Sequence, residues 1–78
     1  MSREEFDNLV FEQACVWIAH DGYATADHIA GSVAREMGEL GTYTRPTMKV
    51  ARAMGRLAKA GRLDRYTPGG SWHYTLPD

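Results

Sequence analysis

The sequence has too little cysteine for a disulfide framework and no apolar run long enough to cross a bilayer. Cys15 is the only cysteine in the 78 residues, and its neighbours Ala14 and Val16 indicate a buried helical thiol in a reducing compartment. The first residues, Met-Ser-Arg-Glu-Glu, lack the basic start and apolar core of a secretion signal. We therefore expect one small cytoplasmic domain over residues 1–78, with no membrane partner.

Side chains that could bind a metal or perform catalysis are present, but they are not spaced as such sites require. The candidates are Cys15, His20, Asp21, Asp27, His28 and His73. No pair among them has a recognised ligand spacing, and Cys15 and His20 would lie on different sides of one helix. The pair Gly69-Gly70 lies in a predicted hairpin and not between a strand and a helix, so there is no phosphate loop. We expect no catalytic residue, no metal site, no cofactor and no enzymatic activity.

Charge is distributed unevenly along the chain, although the formal net charge is only -1. Residues 1–43 contain two cations and eight anions, whereas residues 44–78 contain seven cations and two anions. An asymmetry of this size points to a polyanionic partner for the basic half, usually nucleic acid or an acidic protein surface. The alternative is a solvated basic surface that serves only solubility.

Five of the seven cations in the basic half recur at intervals of four and three residues. They are Arg45, Lys49, Arg52, Arg56 and Lys59, and we call this set the basic face. At about 100° per residue, one helix gathers them within an arc of roughly 80°. The opposite side of that helix carries Val50, Met54, Leu57 and Ala58. This pattern predicts a helix that packs on a core and presents positive charge to a partner.

The first predicted helix spans about residues 3–21. Ser2 and Glu5 have the spacing of a capping box, and apolar residues then recur at helical intervals. Asp21-Gly22 stops the helix, and residues 23–24 are expected to form a short extended link.

Two further helices follow, each ended by a glycine. The second spans about residues 26–37, with Thr25 as its N-cap and Gly38 after its end. The third carries the basic face, spans about residues 45–60 and is closed by Gly61.

The segment after the third helix predicts a hairpin over residues 62–76, with its turn at Pro68-Gly69-Gly70. In its second strand three apolar residues alternate with polar ones and are expected to face the helices: Trp72, Tyr74 and Leu76. In its first strand Leu63 should point inward, but Arg65 has the same parity. The register of the first strand therefore stays open.

The run from Met54 to Leu76 combines features that occur together in one family of DNA-binding domains. They are a leucine in the last helical turn, Ala-Gly after it, a short strand with arginines, a glycine-rich tip and an aromatic-rich strand ending at leucine. Together with the second predicted helix, this run resembles the winged helix-turn-helix domain of prokaryotic or phage transcription regulators. The resemblance implies a mainly α fold with a small β-hairpin, in which three helices precede a two-stranded wing. The stretch between the second and third helices is longer than the usual turn of this motif.

The resemblance implies a regulator that binds double-stranded DNA, with its third, recognition helix in the major groove. The residues implied near base edges are Arg45, Thr47, Met48, Lys49 and Arg52. Their cations would pair with guanine, and Met48 would touch a thymine methyl group. Phosphate contacts are implied for Thr44, Arg56 and Lys59. The wing residues implied at the adjacent backbone or minor groove are Arg62, Arg65, Ser71 and His73.

The competing hypothesis is a winged-helix protein-interaction module, or a small inhibitor, whose basic face binds an acidic protein surface. The acidic first helix offers a surface for a partner protein or for a second copy in a homodimer, or it serves only solubility. Part of its acidity has a local cause, because Glu4, Glu5 and Asp7 favour the helix dipole.

Methionine and aromatic side chains also have an ordinary structural interpretation. Met37, Met48 and Met54 recur at helical spacing and are expected to fill the core. Trp17, Trp72 and Tyr74 are expected to be packed aromatics and not platforms for base stacking.

Overall fold

The computed structural model describes residues 2–36 and 47–78, which form three helices followed by an antiparallel hairpin. The elements are α1 Arg3–Asp21, α2 Ala26–Glu36, α3 Thr47–Lys59, β1 Asp64–Tyr66 and β2 His73–Thr75. This layout confirms the predicted fold class and is consistent with a winged-helix-like arrangement. The predictions for Met37, Gly38, Thr44 and Arg45 lie outside the described residues.

Both ends of α1 are formed by the residues that the sequence predicts. The Ser2 hydroxyl accepts the Glu5 amide N–H at 3.1 Å, and the Ser2 amide donates to the Glu5 carboxylate at 3.1 Å, which completes the capping box. At the other end Gly22 adopts a left-handed conformation with φ 85°, and its N–H donates to the Ile18 carbonyl. A glycine suits this position because a Cβ would be strained there.

The end of α3 determines where the hairpin begins. Gly61 has φ 79°, its N–H donates to the Ala58 carbonyl at 3.1 Å, and the Arg62 N–H donates to the Leu57 carbonyl at 2.9 Å. This pair of bonds is a Schellman motif, which satisfies carbonyls that the last helical turn leaves unpaired. The chain therefore turns sharply and enters the hairpin beside the helix that it has just left.

The hairpin is shorter than predicted, with three residues in each strand. Its antiparallel pairs are Asp64 with Thr75, Arg65 with Tyr74, and Tyr66 with His73. Ala24, in the predicted extended link, adds a bridge on the other side of β2 by exchanging two backbone hydrogen bonds with Tyr74, of 2.8 and 2.9 Å. The hairpin is thus joined to the segment between α1 and α2 by backbone as well as by side chains.

One hydrophobic core receives residues from all three helices, from the link and from the hairpin. Its buried members are Val10, Ala14, Ala24, Ile29, Ala30, Val33, Val50, Ala53, Met54, Leu57, Leu63 and Tyr74. The inward positions predicted for Met54, Leu63 and Tyr74 are confirmed, and Trp17 packs against the core while its indole N–H donates to the Ser32 hydroxyl at 2.9 Å.

Some predicted core positions are wrong. Trp72 and Leu76 are 49% and 44% exposed, because β2 spans only His73–Thr75: Trp72 comes before its first paired residue and Leu76 after its last. Met48 is 67% exposed, because it lies six positions before Met54 and a rotation of about 100° per position places the two methionines on different sides of α3. Cys15 is only partly buried.

Candidate nucleic-acid interface

The outward side of α3 carries three cations of the basic face in exposed positions. Val50, Ala53, Met54 and Leu57 are buried on the other side of the helix. This burial fixes the rotation of α3 about its axis, so that Lys49, Arg52 and Lys59 point to solvent together with Met48. None of these three cations forms an ion pair with another residue in the described ranges 2–36 and 47–78. The positive charge of this surface is therefore not neutralised by the described part of the fold.

Arg56, the fourth described member of the basic face, is held by α1. Its Nε donates to Asp7 Oδ2 at 2.9 Å and its Nη2 donates to Oδ1 at 2.6 Å, a bidentate ion pair between the two helices. The Asp7 side chain is 17% exposed and that of Arg56 is 36% exposed. The hydrogen bonds from Arg56 hold the pKa of Asp7 below its ordinary value, and the same bonds raise the pKa of Arg56. The acidity of Asp7 therefore has a tertiary role in addition to any effect on the helix dipole.

The Asp7–Arg56 pair predicts a specific dependence of stability on pH. A carboxyl whose pKa is lowered by folding stabilises the protein above its unfolded-state pKa, near 3.9, and loses this contribution as the pH falls through the lower folded-state value. Asp7→Asn is expected to cost at most about 1 kcal/mol near neutral pH, since Arg56 is partly solvated. The difference from the parent protein should be constant above about pH 5 and disappear in acid.

Urea unfolding of both proteins across this pH range measures the difference. Glu12→Gln is the matched control, because Glu12 is an exposed carboxylate on the same helix without an ion pair among the described residues. A difference between Asp7→Asn and the parent that persists unchanged below pH 3 would contradict the assignment.

Arg62 also turns toward α1. Its guanidinium carbon lies 4.2 Å from the centre of the Phe11 ring, and Nη1 donates to the Asn8 side-chain carbonyl at 3.3 Å. Arg3, Asp7, Arg56 and Arg62 line a shallow groove between the start of α1 and the end of α3. Two of the arginines expected to bind DNA, Arg56 and Arg62, thus contact α1, and their DNA contacts stay predictions.

Arg65 turns in the opposite direction, toward α3. Its guanidinium carbon lies 4.5 Å from the centre of the Trp72 ring. Its Nη1 lies 3.9 Å from the point that a Cβ on Gly55 would occupy. Since Gly55 is three residues after Arg52 and four before Lys59, it is their neighbour on the helix surface. The structure therefore brings a hairpin cation next to the exposed cations of α3.

The remaining predicted site residues lie away from the exposed cations of α3 and Arg65, or at the edge of that surface. His73 is adjacent to Tyr74 in β2 and points to the other face of the hairpin, where its ring lies 4.5 Å from that of Tyr23 and 5.6 Å from that of Tyr66. The backbone carbonyl of the exposed Ser71 lies 3.2 Å from His73 Nδ1. Thr47 is partly buried at the start of α3.

Two residues of this surface were not predicted to have a role in it, namely Gly55 and Trp72. A glycine inside a helix lowers helix stability by about 1 kcal/mol relative to alanine, so its presence at position 55 was a signal of close approach by another group. Trp72 was predicted as a packed aromatic, and no pattern in the sequence indicated that its partner would be Arg65. That contact depends on the twist and length of the hairpin.

The described part of the chain contains no cluster of three or more histidine, cysteine or acidic residues that could hold a metal ion. No described helix is both long enough and apolar enough to cross a membrane. Comparisons with protein-family models, with curated proteins and with solved structures find no match to this chain.

Proposed function

We propose that this protein binds double-stranded DNA as a transcriptional regulator, with α3 in the major groove and the hairpin against the adjacent backbone. The observation that supports the proposal is the exposed cation set Lys49, Arg52 and Lys59 on one side of a helix whose other side is buried in the core. A helix of this kind fits the width of the major groove and brings cations to both base edges and phosphates.

The position of each cation along α3 suggests its role. Lys49 lies in the first turn of the helix, where a docked recognition helix contacts base edges, and exposed Met48 lies beside it as an apolar contact for a thymine methyl group. Arg52 lies near the middle of the helix, between Lys49 and Lys59. Lys59 is the last residue of α3 and is better placed for a phosphate.

Some cations of the basic half are already bound to α1, and this favours DNA over an acidic protein that would need the whole basic face. Arg56 and Arg62 contact α1, so the described cations of the basic half without a partner on α1 are Lys49, Arg52, Lys59 and Arg65. A narrow row of cations suits the phosphate backbone, which presents regularly spaced charges along a line. An acidic protein surface offers the same charge without this regularity, and this hypothesis is retained as an outcome of the test.

Binding to short duplexes at several salt concentrations tests the proposal. With about four phosphates neutralised, log K should fall against log salt with a slope near −3.6, a loss of roughly two orders of magnitude between 50 and 200 mM. Lys49→Glu and Arg52→Glu should each weaken binding at least about tenfold, because each replaces an attraction by a repulsion. Arg35→Glu is the matched control, since it makes the same charge change at an exposed position of α2.

The outcomes separate the hypotheses. A lack of duplex binding at low salt would reject the proposal, and recovery of one acidic protein partner that is lost in Arg52→Glu but kept in Arg35→Glu would favour the interaction module. Equal competition by all duplexes would reject sequence-dependent regulation while leaving DNA binding in place.

A further inference from the structure

We propose that Arg52, Lys59 and Arg65 form one binding site for a phosphodiester group of the DNA backbone, and that Trp72 holds Arg65 in place there. The inference rests on the proposed function and deepens it. It assigns a ligand group to the corner between α3 and the hairpin, and a positioning role to a tryptophan.

The proposed site surrounds Gly55, which has no side chain and so leaves space on the surface of α3. Arg52 precedes Gly55 by three residues and Lys59 follows it by four, so their Cβ atoms lie about 5–6 Å from this position on the helix surface. Arg65 approaches the same position from β1, with Nη1 3.9 Å from the point where a Cβ would begin. Any side chain longer than alanine would compete with the guanidinium for this space.

Trp72 supplies the contact that keeps Arg65 over α3. The guanidinium lies 4.5 Å from the centre of the indole ring, within the range of a cation–π contact, and Trp72 is half exposed. Arg65 itself is exposed and has no ion pair within the described residues, so stacking on Trp72 is what restricts its rotamers. An arginine restricted in this way loses less conformational entropy when it binds a phosphate.

Electrostatics provides the reason to assign an anion to this corner. Three like charges around one position repel one another, and no described carboxylate forms an ion pair with any of them. The other two arginines of the same region, Arg56 and Arg62, have partners on α1. A phosphodiester placed against Gly55 would meet all three cations, and the two N–H groups at the edge of a guanidinium match its two free oxygens.

The test measures the salt dependence of binding to a short fluorescent duplex of mixed sequence. Arg65→Gln should make the slope of log K against log salt shallower by about 0.9, the loss of one phosphate contact. Trp72→Ala should change the slope in the same direction, Trp72→Phe should restore most of it, and Trp72→Ala should have no further effect in the Arg65→Gln background. Arg35→Gln is the control, because it removes one exposed arginine from α2, outside the predicted DNA-binding residues, and should leave the slope unchanged.

Gly55 variants give a second, independent measurement. Gly55→Ala should leave the slope unchanged, since 3.9 Å is an ordinary van der Waals contact, and should raise helix stability. Gly55→Gln should raise helix stability as well, yet reduce the slope as Arg65→Gln does, because its side chain displaces the guanidinium. In Gly55→Gln the DNA affinity would then fall while the stability of the protein rises. If the site between α3 and the hairpin had only a structural role, affinity and stability would change in the same direction.

The failures are distinguishable. If the parent protein binds no duplex at low salt, the proposed function is wrong. If the parent binds but Arg65→Gln and Gly55→Gln leave the slope unchanged, only the phosphate site is wrong. If Trp72→Ala still weakens binding in the Arg65→Gln background, Trp72 contacts DNA itself and its positioning role is wrong.

Discussion

Replacing Met54 by alanine is expected to unfold a large fraction of this protein at temperatures where the parent is folded. Met54 is fully buried in α3 and belongs to the core shared by the three helices. Truncation of a buried methionine removes apolar contacts and leaves a cavity, at a cost of about 2–5 kcal/mol. A domain of this size has only about 4–12 kcal/mol of stability in total. Even the smaller cost should lower Tm by roughly 8–16 °C.

Met48 provides the matched control for this prediction on the same helix. It is 67% exposed, and Met48→Ala should change the free energy of unfolding by no more than about 0.5 kcal/mol. Thermal unfolding followed by circular dichroism compares both variants with the parent. Similar Tm values for Met54→Ala and Met48→Ala would show that the rotation of α3 described above is wrong, and with it the outward direction of Arg52.

Replacing Tyr74 by alanine is expected to cost about 3–5 kcal/mol, as truncation of a buried aromatic side chain does. Tyr74 is 3% exposed and lies in β2, where it pairs with Arg65 of β1 on one side and with the bridge residue Ala24 on the other. Its ring is the main buried side chain that β2 contributes to the core. Without it Leu63 and the two backbone bonds to Ala24 are the main remaining anchors of the hairpin, and a two-stranded hairpin is marginally stable without packing.

Tyr66 is the control on the neighbouring strand. It has the same side chain, is 46% exposed and belongs to the outer side of the hairpin, so Tyr66→Ala should cost less than about 1 kcal/mol. Denaturant unfolding gives the two free energies, and amide hydrogen exchange at Ala24 and Tyr74 reports whether the hairpin opens separately from the helices. Equal costs for the two tyrosine variants would contradict the hairpin packing.

These stability variants bear on the functional proposals because the same contacts position the candidate interface. Met54 sets which side of α3 faces outward, and Tyr74 holds the hairpin so that Arg65 meets Gly55. DNA affinity should therefore fall in Met54→Ala to the extent that the protein unfolds, and in Tyr74→Ala to the extent that the hairpin opens or the protein unfolds. Arg52→Glu should instead weaken binding while leaving Tm nearly unchanged, since Arg52 is exposed.

The sequence by itself determined the local structure of the chain. Ser2 and Glu5 specify a capping box, and Gly22 and Gly61 provide the left-handed positions that end α1 and α3. These features depend on residues within a few positions of one another, and short-range hydrogen bonds and steric limits are the same wherever the segment lies. The helical repeat likewise placed Lys49, Arg52 and Lys59 on the outward side of α3.

Only the tertiary structure decided which cations bind other residues of the protein and which remain exposed to solvent. Arg56 belongs to the same helical arc as Arg52, yet it pairs with Asp7, which lies 49 positions earlier in the chain. Arg62 and Arg65 are three residues apart and point to opposite neighbours, one to Phe11 and the other to Trp72 and Gly55. Periodicity assigns a residue to a side of its own element but carries no information about what packs beside that element. Partners distant in sequence become defined only when the core fixes how α1, α3 and the hairpin are placed.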